Sequence, residues 1–190
     1  MKKSALEKLY SIYPFTPDEL QLIFDAHHKV VFKKGEYYLK EGQVANSYAI
    51  IESGLMRSFV YNFEGEDITT NFFTQNEIVI EVSSLFQRIK TKENIQAVVD
   101  TECWQIDFDV FQSLYHSIPN FSEWGRAWMA NALFNFKQRS VSIITESATE
   151  RYNTLVATKP DVILQAPLKA IATYLGVTNS SLSRIRKDIK

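Results

Sequence analysis

One cysteine, Cys103, is all that the 190 residues contain. A single thiol cannot close an intrachain disulfide, and it cannot supply the four thiolates of an iron–sulfur cluster, so redox sensing through such a cluster is excluded. Histidine is nearly as scarce. His27, His28 and His116 show no i,i+4 helical pairing and no carboxylate at ligand spacing, so neither a metal nor another cofactor is expected. The strand-rich stretch also lacks a His-x-His or His-x-Asp/Glu pair. That removes the metal triad an enzyme of the double-stranded β-helix type needs, and the expectation is a protein without catalytic activity.

Glycine and proline are few, six and five. No Gly/Ser-rich or Pro-rich linker, internal repeat or low-complexity tract divides the chain. No run approaches the roughly 20 apolar residues of a membrane helix. Met1 to Ala5 leads into mixed sequence rather than the apolar centre of a signal peptide, so the expectation is a cytoplasmic protein with no membrane partner. The net charge of −1 hides an asymmetry. From Arg184 onward, Arg184, Arg186, Lys187 and Lys190 stand against Asp188 alone, and this basic end is where an acidic partner would bind.

What the chain has is ample apolar residue, 45% hydrophobic, enough to bury a core. The first helical signal is Thr16-Pro17-Asp18-Glu19, a capping box with proline at the first helical position, followed by Leu20, Ile23 and Phe24 on one face. It predicts a short helix over residues 17–26. From Val30 to about Asp107 the pattern is one of short strands broken at Lys34-Gly35-Glu36, Glu41-Gly42-Gln43, Glu52-Ser53-Gly54 and Phe63-Glu64-Gly65-Glu66. Turns this closely spaced imply an antiparallel sandwich or barrel.

After Phe108 the period becomes helical, with a segment ending near Ser117 and a proline-free run over 121–144 opened by Pro119. At 100° per residue its apolar residues, Phe121, Trp124, Trp128, Met129, Leu133, Phe134, Phe136, Val141 and Ile143, surround most of the circumference, so the helix should be buried from two directions. It is either the core helix of a single domain, or packed on its own β domain and on a twin helix of a second subunit. A second capping box, Ser147-Ala148-Thr149-Glu150, opens a helix with Tyr152, Leu155 and Val156 that Lys159-Pro160 ends. The division expected is 1–118, 119–144 and 145–190, with a short helix-to-helix boundary near 144–147.

Leu168, Ile171, Ala172 and Leu175 form an i,i+3,i+4,i+7 stripe, giving that helix one buried face. Gly176 suits a left-handed helix end, Val177 can plug the gap between helices, and Thr178 is a good N-cap for the next one. In the last helix Leu182, Ile185 and Ile189 face inward, and Ser180, Ser183, Arg184 and Lys187 line the opposite side. Free amides, small hydroxyls and an arginine one turn later suit a DNA major groove, where a guanidinium bridges guanine O6 and N7. Arg184 is the candidate base reader; Thr178, Asn179, Ser181, Arg186 and Lys187 are candidates for phosphate and flanking contacts.

Three segments resemble the transcription-regulator family typified by the catabolite activator protein and the fumarate-nitrate regulator. They are Phe32 to Gly42 with Tyr48 to Arg57, the Gly65 to Phe73 hairpin arm, and, most specifically, Leu175 to Arg186. The resemblance implies an α+β fold: an N-terminal double-stranded β-helix (a β-roll or jelly roll like the cyclic-nucleotide-binding domain), a long dimerisation helix, and a C-terminal helix-turn-helix domain. It puts Asn179, Ser180 and Arg184 on the base-reading positions, and Phe121, Trp124, Trp128, Ala132 and Phe136 on the dimer helix. The partners it implies are double-stranded DNA, a second copy of the chain, RNA polymerase and a small-molecule effector of unknown identity.

Two departures are visible. Family members that bind cyclic AMP carry Gly-Glu and then Arg-Ser in the phosphate-binding segment, whereas this chain has Ile80-Glu81 and Thr91-Lys92. Glu81, Val82, Ser83, Thr91 and Lys92 are the candidate effector pocket, but without the guanidinium fork an effector other than cyclic AMP is expected. A recognition helix without the family's β-hairpin wing is also expected, which bears on affinity rather than binding mode. The alternative function is a ligand-binding or protein-interaction module with a degenerate helix-turn-helix that does not bind DNA.

Overall fold

The computed structural model describes residues 4–188. Helix α1 (Ala5–Tyr10) and helix α2 (Pro17–Asp25) precede strands β1 (His28–Phe32), β2 (Tyr37–Leu39), β3 (Ser47–Ser53), β4 (Met56–Tyr61), β5 (Asp67–Phe73) and β6 (Ile78–Val79). Helix α3 (Val82–Gln87), strands β7 (Asn94–Ala97) and β8 (Thr101–Asp107), and helices α4 (Phe108–Ser117) and α5 (Pro119–Thr145) follow. The remainder is α6 (Ala148–Thr158), α7 (Pro160–Gln165), α8 (Leu168–Leu175) and α9 (Asn179–Asp188). Ile189, read from the sequence as inward-facing, and Lys190 lie outside the described residues.

Among the described residues, eight strands form two antiparallel four-stranded sheets, ordered β1-β8-β3-β6 and β2-β7-β4-β5. Each glycine turn anticipated from the sequence has a positive φ. At Gly54 the requirement is steric as well, since a Cβ there would meet Thr101 Oγ1 at 2.5 Å. Central strand β3 is buried on both faces, and so reads Tyr48-Ala49-Ile50-Ile51 without alternation. Tyr48 packs edge-on to Phe111 of α4, with ring centroids 5.1 Å apart.

Helices α1, α3 and α7 are not anticipated from the sequence. Helix α1 has its own capping box, Ser4 with Glu7, and its Ala5 amide donates to Glu52 Oε2 at 2.9 Å. Pro160, taken as a stop, is also the first residue of α7. The box at Ser147 and Glu150 opens α6 where the sequence put it.

The long helix needs a correction. Phe121 (0% exposed) and Trp124 (6%) belong to the protomer's own core, against Tyr10, Phe111 and Tyr115, and cannot serve a dimer seam. Trp128 is partly buried against the same core. On the same stretch, Gly125 lets the Tyr115 hydroxyl approach so closely that a Cβ there would collide with it. Ala132 is half-buried, and beyond it Leu133, Phe134, Phe136, Ile143 and Ile144 are exposed. Within one chain, burial from two directions therefore holds only for the first turns.

Candidate nucleic-acid interface and effector cassette

Helix α8 ends at Gly176 with φ 69°, and Val177 N–H reaches back to Ala172 O at 3.0 Å. Thr178 caps α9, its Oγ1 accepting from Ser181 N–H at 3.2 Å and lying 3.0 Å from the hydroxyls of Ser180 and Ser181. Leu182 (0% exposed) plugs a cluster with Tyr152, Leu155, Ile171 and Leu175, and half-buried Ile185 packs beside it. Thr178, Asn179, Ser180, Ser183, Arg184 and Lys187 are exposed, whereas Ser181 and Arg186 are half-buried. Among the described residues neither Arg184 nor Lys187 makes an ion pair, and both are exposed to solvent.

The single buried face expected for α8 is wrong. Leu168 is 44% exposed, while Ala170, Ile171 and Ala172 are buried in succession. The helix is held on two sides, by α9 and α6 on one and by β5 of the roll on the other. Small alanines allow that close approach, and they carry little periodicity signal.

The cassette around α3 has a different chemistry. Glu81 is the N-cap of α3: its carboxylate accepts from Ser84 N–H at 2.6 Å and from the Ser83 hydroxyl. Val82, Ser83 and Lys92 are exposed, and Thr91 is buried, its Oγ1 accepting from Glu93 N–H at 2.9 Å. Of the sequence candidates, Glu81 and Thr91 are held in hydrogen bonds within the segment, and Val82, Ser83 and Lys92 face solvent. Buried Ser84, missed earlier, joins the segment together by accepting from Ala45 N–H at 2.8 Å and donating to Ile89 O at 2.6 Å. The sequence carries no such signal, since Glu81 and Ser84 reverse the usual order of a capping box.

Both arginines of the roll are engaged. Arg57 forks onto Asp67 and lies 3.1 Å from Thr69 Oγ1, and the bond holds the Asp67 carboxyl below its ordinary range. Arg88 donates to Ala45 O at 2.6 Å and to Asn46 Oδ1, with its guanidinium 4.4 Å from the Phe108 ring. Burial raises the Glu93 carboxyl above its usual value; the Thr70 hydroxyl opposes this and the charge of Glu81 adds to it. An anionic phosphate here would meet two carboxylates rather than a guanidinium.

Among the described residues no group of histidine, cysteine and carboxylates is arranged to hold a metal ion, and no helix is long and apolar enough to cross a membrane. Cys103 is buried, and burial pushes its thiol up to about 12.

Residues 29–117 match the model of the cyclic nucleotide-binding domain. The cGMP-dependent protein kinase of Plasmodium berghei is 26% identical over 110 residues, which are 58% of this chain and 12% of the kinase. The chain thus spans a small part of that relative's length. FixK2 from Bradyrhizobium japonicum superposes with a TM-score of 0.75 at 16% identity, over 86% of this chain and 84% of that one. The Thermus thermophilus catabolite activator protein superposes with a TM-score of 0.60 at 18% identity, over 98% and 86%. From the β-roll to the last helix, the chain has the fold of the Crp/Fnr regulators.

Proposed function

We propose that this protein is a homodimeric, DNA-binding transcription regulator of the Crp/Fnr type whose effector is not cyclic AMP. The observation that carries the reading is the two-sidedness of α9. Leu182 is fully buried while Ser180, Ser183, Arg184 and Lys187 all project outward. A ten-residue helix with that face and an N-terminus capped only by hydroxyls fits a major groove, with Arg184 reading a base and Asn179 and Lys187 at the backbone. The proposed division is a roll over 1–118, a seam helix over 119–144 and a helix-turn-helix over 145–190.

The second copy of the chain would cover the exposed apolar turns of α5 from Leu133 onward; a light-scattering mass of one subunit at micromolar concentration contradicts this. RNA polymerase is the further partner such a regulator meets. The case against cyclic AMP is Glu81 in the cap of α3 and the absence of an inward-facing guanidinium among the described residues of the cassette. Micromolar binding by calorimetry overturns it.

The test of DNA binding is selection of duplexes from random genomic fragments, followed by affinities over a salt series. Arg184→Ala is expected to lose about 1–3 kcal/mol at one base position, and Lys187→Ala to weaken all sequences alike and lower the salt slope by about 1. Failure of the wild type to retain any fragment in a salt-sensitive way favours a protein-interaction module instead.

A further inference from the structure

Strand β5 slips register halfway along β4. Asn71 pairs with Ser58 and Thr69 pairs with Phe59, so Thr70 is one residue too many. Such a bulge takes the extra residue's peptide out of the ladder and redirects its neighbours. The released groups are used by the helical part of the chain. Thr70 O accepts from the Arg139 guanidinium of α5, and the other arm of that guanidinium reaches Tyr174 O of α8 at 3.1 Å. The Arg139 guanidinium carbon also lies 4.1 Å from the Tyr174 ring centre. Next to it, Thr69 N–H donates to Thr173 Oγ1 of α8 at 3.1 Å. On the side of the cassette the Thr70 hydroxyl pairs with Ser58 Oγ at 2.7 Å and borders the Glu93 carboxyl.

We infer that Arg139 and the Thr70 bulge form a clip that fixes the helix-turn-helix unit on the β-roll and makes Arg139 a positioning residue for the recognition helix. Three chain segments distant in sequence meet there: β5, the last third of α5 and the end of α8. A guanidinium suits the role because it holds two carbonyls at fixed angles, which a lysine ammonium cannot do with one geometry. Thr70 touches both the cassette and the clip, so a change around Glu93 reaches α8 through one residue. The consequence for DNA rests on the regulator reading; the clip itself does not.

The test is hydrogen exchange on the full chain without DNA, comparing wild type, Arg139→Gln, Arg139→Lys and Thr173→Val, with DNA affinity measured in parallel. Arg139→Gln should raise exchange at the Thr69 amide and across α8 by about tenfold, the order expected for a lost charge-assisted hydrogen bond, and leave β3 and β8 unchanged. Arg139→Lys should recover part of the protection, and Thr173→Val should give a smaller rise of the same kind. On a selected duplex Arg139→Gln should bind about tenfold more weakly with its base preference intact, unlike Arg184→Ala. Unchanged exchange in both Arg139→Gln and Thr173→Val overturns the clip, whatever DNA does. Wild type that binds no duplex overturns the regulator reading, and the exchange result still decides the clip.

Discussion

Helices α3 and α9 present their N-termini in opposite ways. In α3 the glutamate at the cap turns its own carboxylate onto the Ser84 amide and the Ser83 hydroxyl, and a second carboxyl, Glu93, borders the same place. In α9 the cap is the Thr178 hydroxyl, the neighbours are Asn179 and Ser180, and the charges a turn or two later are Arg184 and Lys187. A helix N-terminus favours negative charge in both, but α3 satisfies that preference internally and α9 leaves it open. On the proposed reading, the open N-terminus of α9 meets an external polyanion, and the internally capped α3 has no such role for a cyclic phosphate.

The largest effect should come from giving α9 the chemistry of α3. Ser180→Glu sets a carboxylate against the phosphates, a juxtaposition worth several kcal/mol, and should lower affinity for a selected duplex on the order of a hundredfold or more. The mirror change, Glu81→Ala, should cost about 1 kcal/mol in denaturant unfolding and produce no cyclic AMP binding by calorimetry, because no guanidinium is gained. Nucleotide binding by Glu81→Ala would show that the carboxylate alone had been excluding it.

Acid should separate the two regions. His27 is buried in the roll, its Nδ1 2.7 Å from Ile23 O and its Nε2 3.3 Å from the Tyr10 hydroxyl. Burial lowers it to about 4, against the raising effect of the bond to Ile23, and the charge of His28 adds a smaller lowering. The neutral form is favoured in the folded state, so the stabilisation is fully present above the unfolded value near 6.5 and falls as pH drops toward 4. The total is about 3 kcal/mol. Urea midpoints from pH 7.5 to 4.5 should fall for the wild type, and the His27→Gln variant should show a flatter profile. Equal slopes would place the acid sensitivity elsewhere.

The parts of this molecule legible in its sequence are those set by local rules. Gly176 and Thr178 specify the turn between α8 and α9 through one left-handed residue and one hydroxyl cap, and the glycine turns of the roll were visible for the same reason. Helix α3 was hidden because its six residues lie within a run of strands, and because Glu81 resembled a ligand group rather than a cap. The contact of α8 with β5 is bridged by Arg139 between Thr70 and Tyr174, residues whose sequence spacing carries no period. Helix α5 shows the limit of periodicity most plainly. Its apolar residues signalled burial, but only the folded chain separates Phe121 and Trp124, covered from within, from Leu133 and Phe136, exposed at 69% and 68%.

The most direct measurement of the contrast between the two helix ends is hydrogen exchange of the whole chain with and without a selected duplex. Binding should slow exchange at residues 179–184 and leave residues 82–87 as they are in the free protein. Protection at α3, or none at α9, would contradict the assignment of the polyanion to the last helix.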